Sequence, residues 1–320
     1  METNHRINSI DIARLFAAIL VIAIHTQAIM WFSDRANGNI QILTRVAVPF
    51  FFCTSGYFLQ KGYVRKGCSA IATSIWNVFR LYMALSIVYF AVIFLQNPAL
   101  LQRVEKWMLI DFLFNGSYYH LWYMVGVIYS MVVIYLICKF KLTKALLPLA
   151  VFCYAVGLLG TSYYGLGSRL PIMSTLFDSG WFLSVRRIFL MGFPFTALGW
   201  IISEEKLKLR ISKKHLLFAT TLVALLFVAE IVTVTVTGMS RTIEITVFLY
   251  PLLFLCFRFV LPIRLKEKAI LLRPAVIRLI LHISGIRLSF LRCGKLLMRT
   301  FSCLRLRQQY ACYWALAITP

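Results

Sequence analysis

Residues 11–32 read DIARLFAAILVIAIHTQAIMWF. A helix that crosses a bilayer needs roughly 20 consecutive apolar residues, and this run supplies them. It is interrupted by Arg14 and His25. A charged residue at mid-helix raises the free energy of insertion by roughly 2.5–3.5 kcal/mol, so an ionisable residue there is a functional candidate. At about 100° per residue, eleven steps return to within roughly 20° of the same face, about 16 Å further along. One face therefore carries a fixed cation near its start and a titratable imidazole past its midpoint. Asp11 stands one turn before Arg14 and can pair with it. The same residues also fit a snorkelling arginine at the membrane edge and an interior histidine with satisfied hydrogen bonds.

The rest of the chain has the same character. Of its 320 residues, 61% are hydrophobic and 14% charged, and the mean hydropathy is +0.81. Soluble domains hold about 45–50% apolar residues. The expected fold class is all-α, a polytopic helical bundle in a lipid bilayer. The net charge of +23 sits in short Lys/Arg segments between apolar runs. That distribution fits loops beside anionic headgroups, and no zinc-finger or RNA-binding spacing accompanies it, so no nucleic acid is expected as a partner. Eight cysteines, among them Cys53, Cys138, Cys153 and Cys256, form no C-x-x-C pair. Neither a disulfide framework nor a metal site is expected. The first apolar run is too long for a signal-peptide core and reads as a retained anchor.

Spans are expected near 12–32, 40–60, 75–95, 118–138, 143–160, 183–202, 214–237 and 242–262, with a weak ninth near 269–283. The segment 98–115, PALLQRVEKWMLIDFLFN, is amphipathic and is expected to lie at an interface. Basic residues crowd alternate loops: Lys61, Arg65 and Lys66; Lys139, Lys141 and Lys144; Lys206, Lys208, Arg210, Lys213 and Lys214; Arg264, Lys266 and Lys268. The other loops carry few, with Asp34 beside Arg35, Glu105 between Arg103 and Lys106, and Arg241. The alternation predicts a cell-membrane protein with its N-terminus in the cytoplasm. Residues 63–70 and 204–213 then face the cytosol, and 34–39 and 162–180 face outside. Tyr118, Tyr119, Trp122, Tyr123, Tyr163, Tyr164 and Trp181 fit an aromatic belt at the outer boundary, and the loop 161–182 also fits a substrate contact.

Further polar features fall in or beside the spans. Arg45 is expected inside the second helix, ahead of Pro49 and of the stretch Ser55-Gly56-Tyr57. Pro49 frees a carbonyl and Gly56 permits close backbone approach, which fits a kink towards a cavity or close helix packing. Arg80 is expected to open the third helix, His120-Leu121-Trp122-Tyr123 the fourth, and Arg186-Arg187 the sixth. Each cation alone fits an interface anchor. Together with Arg14 they fit a site for an anionic cofactor such as the phosphates of an acyl-thioester carrier.

Asp11-x-x-Arg14, then His25, then VPFFFCTSGYFL at 48–59 and HLWY at 120–123 resemble the acyltransferase 3 family of integral membrane acyltransferases. The similarity runs from about residue 6 to 265 and is strongest to the membrane half of the membrane-bound serine racemases, in RVAVPFFF-x-x-SGY and YHLWY. The resemblance implies about ten helices and transfer of an acetyl or other acyl group from a cytoplasmic thioester. Acyl-CoA would serve as donor substrate, with no permanently bound cofactor. The implied acceptor is a hydroxyl of an envelope glycan or related small molecule. It places His25 and Arg14 in the catalytic pair; the reading of the residues adds Arg45, Arg80, Arg186 and Arg187 at the donor, and Asp11, Pro49, Ser55, Gly56, Tyr57, His120, Trp122 and Tyr123 as structural or substrate-lining candidates. Family members often carry two arginines at the start of the third helix, where SIWNVFRLY holds only Arg80. A histidine with an ordinary pKa near 6.5 suits general-base removal of a hydroxyl proton, or it can carry the acyl group itself. No stretch of this chain reads as a pyridoxal-phosphate racemase half, so racemase activity is not expected of it. An uptake module for amino acids such as serine and an inactive remnant are the competing readings.

The expected domains are a membrane domain over 1–265 and a basic tail over 266–320. After Glu267 no acidic residue occurs, while Arg273, Arg278, Arg287, Arg292, Lys295, Arg299, Arg305 and Arg307 break the apolar pattern. From about residue 272 the segment fits a frameshifted continuation or a basic amphipathic tail on the inner leaflet.

Overall fold

The computed structural model of the chain describes residues 8–26, 45–96, 109–118, 121–179, 182, 185–204 and 212–261. The 57 residues of the separate C-terminal unit Arg264–Pro320, with the expected ninth span and the basic tail, lie outside the described residues. Everything described is helix, turn or irregular chain, with no strand among the described residues. In chain order the α-helices are α1 Asn8–Thr26, α2 Ala47–Lys66, α3 Cys68–Gln96, α4 Trp122–Lys139, α5 Leu146–Gly160, the short α6 Tyr164–Gly167 and α7 Pro171–Asp178, then α8 Phe193–Ser203, α9 Lys213–Val236 and α10 Leu249–Val260. Among the described residues four helical stretches are long and apolar enough to cross a membrane: Cys68–Ala91, Trp122–Lys139, Thr143–Gly160 and Lys213–Val236. Large apolar side chains on them stay exposed, including Trp76, Phe79, Ile87, Phe152, Phe218 and Leu225. Such faces are stable against lipid, not water.

The centre of the bundle is the α2–α8 seam. Cys53, Gly56 and Gln60 of α2 face Thr196, Gly199 and Ser203 of α8, both sets spaced as one helical stripe. A Cβ on Gly56 would fall 1.8 Å from the Thr196 carbonyl oxygen, and one on Gly199 would fall 1.8 Å from that of Cys53. The two backbones therefore touch, as small residues allow in membrane helices. Ser203 Oγ donates to Gln60 Oε1 at 2.8 Å, and the Tyr63 ring lies 5.2 Å from that of Trp200. Phe52, Phe193, Phe195, Trp200 and Phe257 are fully buried around this seam.

Several helix boundaries differ from expectation for local reasons. The expected cytosolic loop at 63–70 is a single residue, Gly67, at φ +63°, whose N–H donates to Tyr63 O at 2.7 Å. Glycine takes this conformation without steric cost and stops α2 there. α3 then begins at Cys68, because Ser69, Thr73 and Ser74 turn their hydroxyls onto helix carbonyls three or four residues back at 2.7–2.9 Å. Arg80 consequently lies well inside α3, not at its start. Arg45 sits in the turn just before α2, not within it. Pro49 falls in the first turn of α2, where its missing N–H removes no intrahelical bond, so it starts the helix and does not kink it.

The described part of the expected interfacial segment packs on the flank of α3. A π-helical turn spans Asp111–Asn115. The Tyr82 hydroxyl donates to Phe112 O at 2.5 Å and accepts from Ser117 N–H at 3.1 Å. Ser117 Oγ donates to Ser86 Oγ at 2.7 Å, and Tyr118 stacks on Tyr89 with centroids 4.4 Å apart. Tyr82 lies about 21 Å along α3 from Cys68 at 1.5 Å per residue. Finally, 238–248 is not helical. Gly238 at φ +65° ends α9, and the β-branched run Ile243, Ile245, Thr246, Val247 favours extended chain. This strap is sewn to the α5–α7 region by Gly165 N–H to Met239 O at 2.8 Å, Arg241 N–H to Thr161 O at 3.0 Å and Tyr154 Oη to Thr246 O at 2.5 Å. Ser162 Oγ also donates to Ile245 O.

Candidate active site

α1 is one unbroken helix from Asn8 to Thr26, so Arg14 and His25 share the face their spacing requires, with His25 in the last turn. The orientation of the imidazole lies outside the described residues, as does His120. Arg14 Nη1 lies 3.8 Å from Asp11 Oδ1, and its guanidinium stands over the Phe58 ring of α2 at 5.6 Å. The Ser55 hydroxyl is 2.9 Å from Phe51 O and 3.4 Å from the Tyr123 hydroxyl of α4. Tyr123 also lies within electrostatic reach of Arg14. Its ring packs on Phe52 at 4.7 Å and on Phe51 at 6.2 Å. Trp122 meets Phe52 at 6.3 Å on one side and carries the Arg187 guanidinium at 5.6 Å on another. The stretches VPFFFCTSGY and LWY thus meet each other beside the Arg14 end of α1. The result is a hydroxyl pair, Ser55 and Tyr123, walled by aromatic rings and approached by cations. Charge developing on a bound carbonyl would be stabilised more strongly there than in water.

The other candidates divide. Arg186 opens a π-helical turn, Arg186–Gly192, that runs into α8, and it is buried. Its Nη2 donates to Glu244 Oε1 at 2.9 Å and its Nη1 to Thr242 Oγ1 at 3.1 Å. Glu244 also acts electrostatically on Arg45. Glu244 of the strap thus bears on Arg186 directly and on Arg45 through its field, while Arg14 and Arg187 flank the aromatic cluster. Arg80 is apart from both, exposed in a shallow depression on α3 between Asn77, Leu81 and Ala84. Gly56 is a packing residue against Thr196. Tyr57 is buried in the core, with its ring 4.9 Å beneath the Lys61 ammonium.

Two carboxylates escaped the sequence reading. Glu244 is one. The other is Glu230, buried in α9, whose Oε1 accepts from Tyr163 Oη at 2.7 Å and Val247 N–H at 2.6 Å, and whose Oε2 accepts from Phe248 N–H at 2.9 Å. Burial and this carboxylate push the Tyr163 hydroxyl well above its ordinary range, so it stays a donor. Tyr164 similarly donates to Asp178 Oδ1 at 2.8 Å. Both tyrosines brace the loop. The signal for Glu230 was an acidic residue inside an apolar run, the same signal that singles out Arg14 and His25.

The sequence profile of the acyltransferase 3 family, described as an acyltransferase domain, matches residues 7–288, and the chain belongs to this family of membrane acyltransferases. Among curated proteins, an amino-acid racemase of Enterococcus faecalis is 34% identical over 185 residues, 54% of this chain and 25% of that protein. A second amino-acid racemase of Enterococcus faecalis is 29% identical over 274 residues, 84% of this chain and 38% of its own length. A serine/alanine racemase of Enterococcus gallinarum is 26% identical over 223 residues, 68% of this chain and 32% of its own length. The chain thus spans between a quarter and two fifths of these relatives. No solved structure matches.

Proposed function

We propose that this chain is a multi-pass O-acyltransferase of the cell membrane that moves an acetyl or other acyl group from a cytoplasmic thioester, acyl-CoA, to a hydroxyl of an envelope glycan. The observation that carries the reading is Arg14 and His25 on one continuous helix, with the Arg14 guanidinium over Phe58 of α2 and within electrostatic reach of Tyr123, which meets Ser55. With the N-terminus inside, Arg14 lies towards the donor and His25 towards the acceptor. The donor phosphates are met from the cytoplasmic side, with Arg14 as the cation of the candidate site that faces that route. His25 removes the acceptor proton as the hydroxyl attacks the thioester carbonyl, and returns it to the leaving thiolate.

The test is donor-dependent labelling of envelope glycans, read by mass spectrometry, in cells with wild-type protein, His25→Ala or Arg14→Lys. General-base catalysis is worth about 10²–10⁴-fold, so His25→Ala should lose nearly all transfer while inserting normally. Arg14→Lys should fall too, since an ammonium lacks the bidentate fork of guanidinium. Near-normal transfer by His25→Ala refutes the mechanism. The competing reading, an uptake module for amino acids such as serine, predicts solute accumulation without any acyl donor.

A further inference from the structure

The two consecutive arginines of the π-helical turn go separate ways. Arg186 is buried against Glu244 and Thr242 of the strap. Arg187 is half-buried, stands over the Trp122 ring at 5.6 Å, and makes no hydrogen bond or ion pair among the described residues. Single π-helical turns are frequent at functional sites. A guanidinium over a ring meets it with its face and keeps its five N–H groups in its own plane, so Trp122 orients Arg187 without consuming its donors. A partly buried cation with no acceptor is costly, and the fork it presents fits a carboxylate or phosphate. Close packing holds the backbone here. Gly126 of α4 lets two groups close in: a Cβ there would fall 3.0 Å from the Phe52 ring and 3.8 Å from Arg187 O. Phe52 in turn meets Trp122 at 6.3 Å and Tyr123 at 4.7 Å. One buried ring thus links Arg187, through Trp122, to the Ser55–Tyr123 hydroxyl pair.

We propose that Arg187, held over Trp122, is the anchor for an oxyanion, the carboxylate or phosphate of an acidic acceptor. Depth decides between acceptor and donor. Trp122 is the first residue of α4 and Lys139 the last, about 26 Å further along at 1.5 Å per residue. With the Lys139 end in the cytoplasm, Arg187 lies near the outer end, away from the entry of a cytoplasmic thioester. The acceptor assignment therefore rests on the acyltransferase reading and its orientation; the oxyanion site itself does not. It names the substrate class as a hydroxyl acceptor that carries its own negative charge, such as an acidic sugar or a sugar phosphate.

The full-length protein in nanodiscs of zwitterionic phosphatidylcholine is titrated with inorganic phosphate and, as neutral control, glycerol, at constant ionic strength, following thermal unfolding. Phosphate should raise the unfolding temperature saturably, by about 3–6 °C at ten times its Kd, and glycerol should not. Arg187→Gln should abolish the rise. Arg187→Lys keeps the charge without the fork and should weaken phosphate about tenfold. Arg169→Gln, which removes an exposed cation from the loop 161–182, should respond like wild type and so excludes a general effect of surface charge. Phosphatidylglycerol discs separate two sources of the oxyanion. A retained phosphate response there supports a soluble acceptor, and a lost one assigns the site to a lipid headgroup and overturns the acceptor assignment. None of these measurements needs acyl transfer, so failure of the chemistry at His25 and failure of this site are read separately. No phosphate response in wild type, an undiminished one in either Arg187 variant, or an equal loss in Arg169→Gln overturns the oxyanion site.

Discussion

Replacing Gly56 with alanine adds one methyl group where, with Gly199, a glycine meets its neighbour most closely among the described residues. Its Cβ would lie 1.8 Å from the Thr196 carbonyl oxygen and 2.7 Å from that residue's carbonyl carbon, both backbone atoms that cannot rotate away. Ordinary van der Waals contact begins at 3.4 Å, so α2 and α8 must separate by about 1.6 Å at this point. That gap runs past Cys53, Gln60 and Ser203 and loosens their contacts. Overpacking a close-packed core destabilises by about 1–3 kcal/mol, and a rigid backbone neighbour puts this case at or above the upper end. At about 2–4 °C per kcal/mol, the unfolding temperature of the detergent-solubilised protein should drop by about 6–12 °C. Gly199→Ala should do the same against Cys53 O. Because either methyl group opens the same seam, the double variant should lose clearly less than the sum of the two. Gly62→Ala on the same helix is the control. Its Cβ would meet only the Ala70 Cβ at 3.5 Å, so it should be neutral or slightly stabilising. A Gly56→Ala protein that melts within 2 °C or so of wild type, or strict additivity with Gly199→Ala, refutes the seam as drawn.

Tyr82→Phe removes the hydroxyl that serves both Phe112 O and Ser117 N–H, and should cost about 1–3 kcal/mol by thermal unfolding, with Ser86→Ala giving less. Glu230→Gln leaves one oxygen for three donors and sets an amide N–H₂ against a backbone N–H, so it should destabilise by about 1–3 kcal/mol and raise proteolytic cutting within 239–248. For orientation, single cysteines at the exposed positions Lys66 and Ser212 should resist an impermeant reagent applied from outside, while one at Arg169 should react. Ser203 is unsuitable for that purpose, being buried against Gln60. Labelling of the first two and not the third reverses the topology.

Much of the architecture is written in the apolar runs. Each run up to residue 262 contains a helix in the structure, because a 20-residue apolar segment has few other ways to satisfy its backbone in lipid. What the runs do not encode is depth and partner. The α2–α8 contact joins residues as far as 143 apart in sequence, as Gln60 and Ser203 are, so Gly56 announces a close approach without naming its partner on α8. The expected span 242–262 takes in part of the strap, although its β-branched residues, Glu244 and the preceding Gly238 argue for extended chain. Ser69, Thr73 and Ser74 hid the true start of α3 because hydroxyl residues read as loop until their back-bonds are seen. In the candidate site, Arg14 with Ser55 and Tyr123 follows from motifs already visible. The split of the arginines between two places depends on Glu244, whose role only tertiary structure discloses.

The one-residue elbow at Gly67 also bears on how the protein is made. α2 and α3 leave no slack between them, so they must enter the bilayer as a single hairpin. Lys61, Arg65 and Lys66 all lie within two turns of its bend. Basic residues held that close to a rigid tip cannot be carried across with a flexible loop, so under the proposed orientation the elbow is expected to hold to the cytoplasmic leaflet. During synthesis, this hairpin would fix the orientation of every later span before the more charged 206–214 segment has left the ribosome.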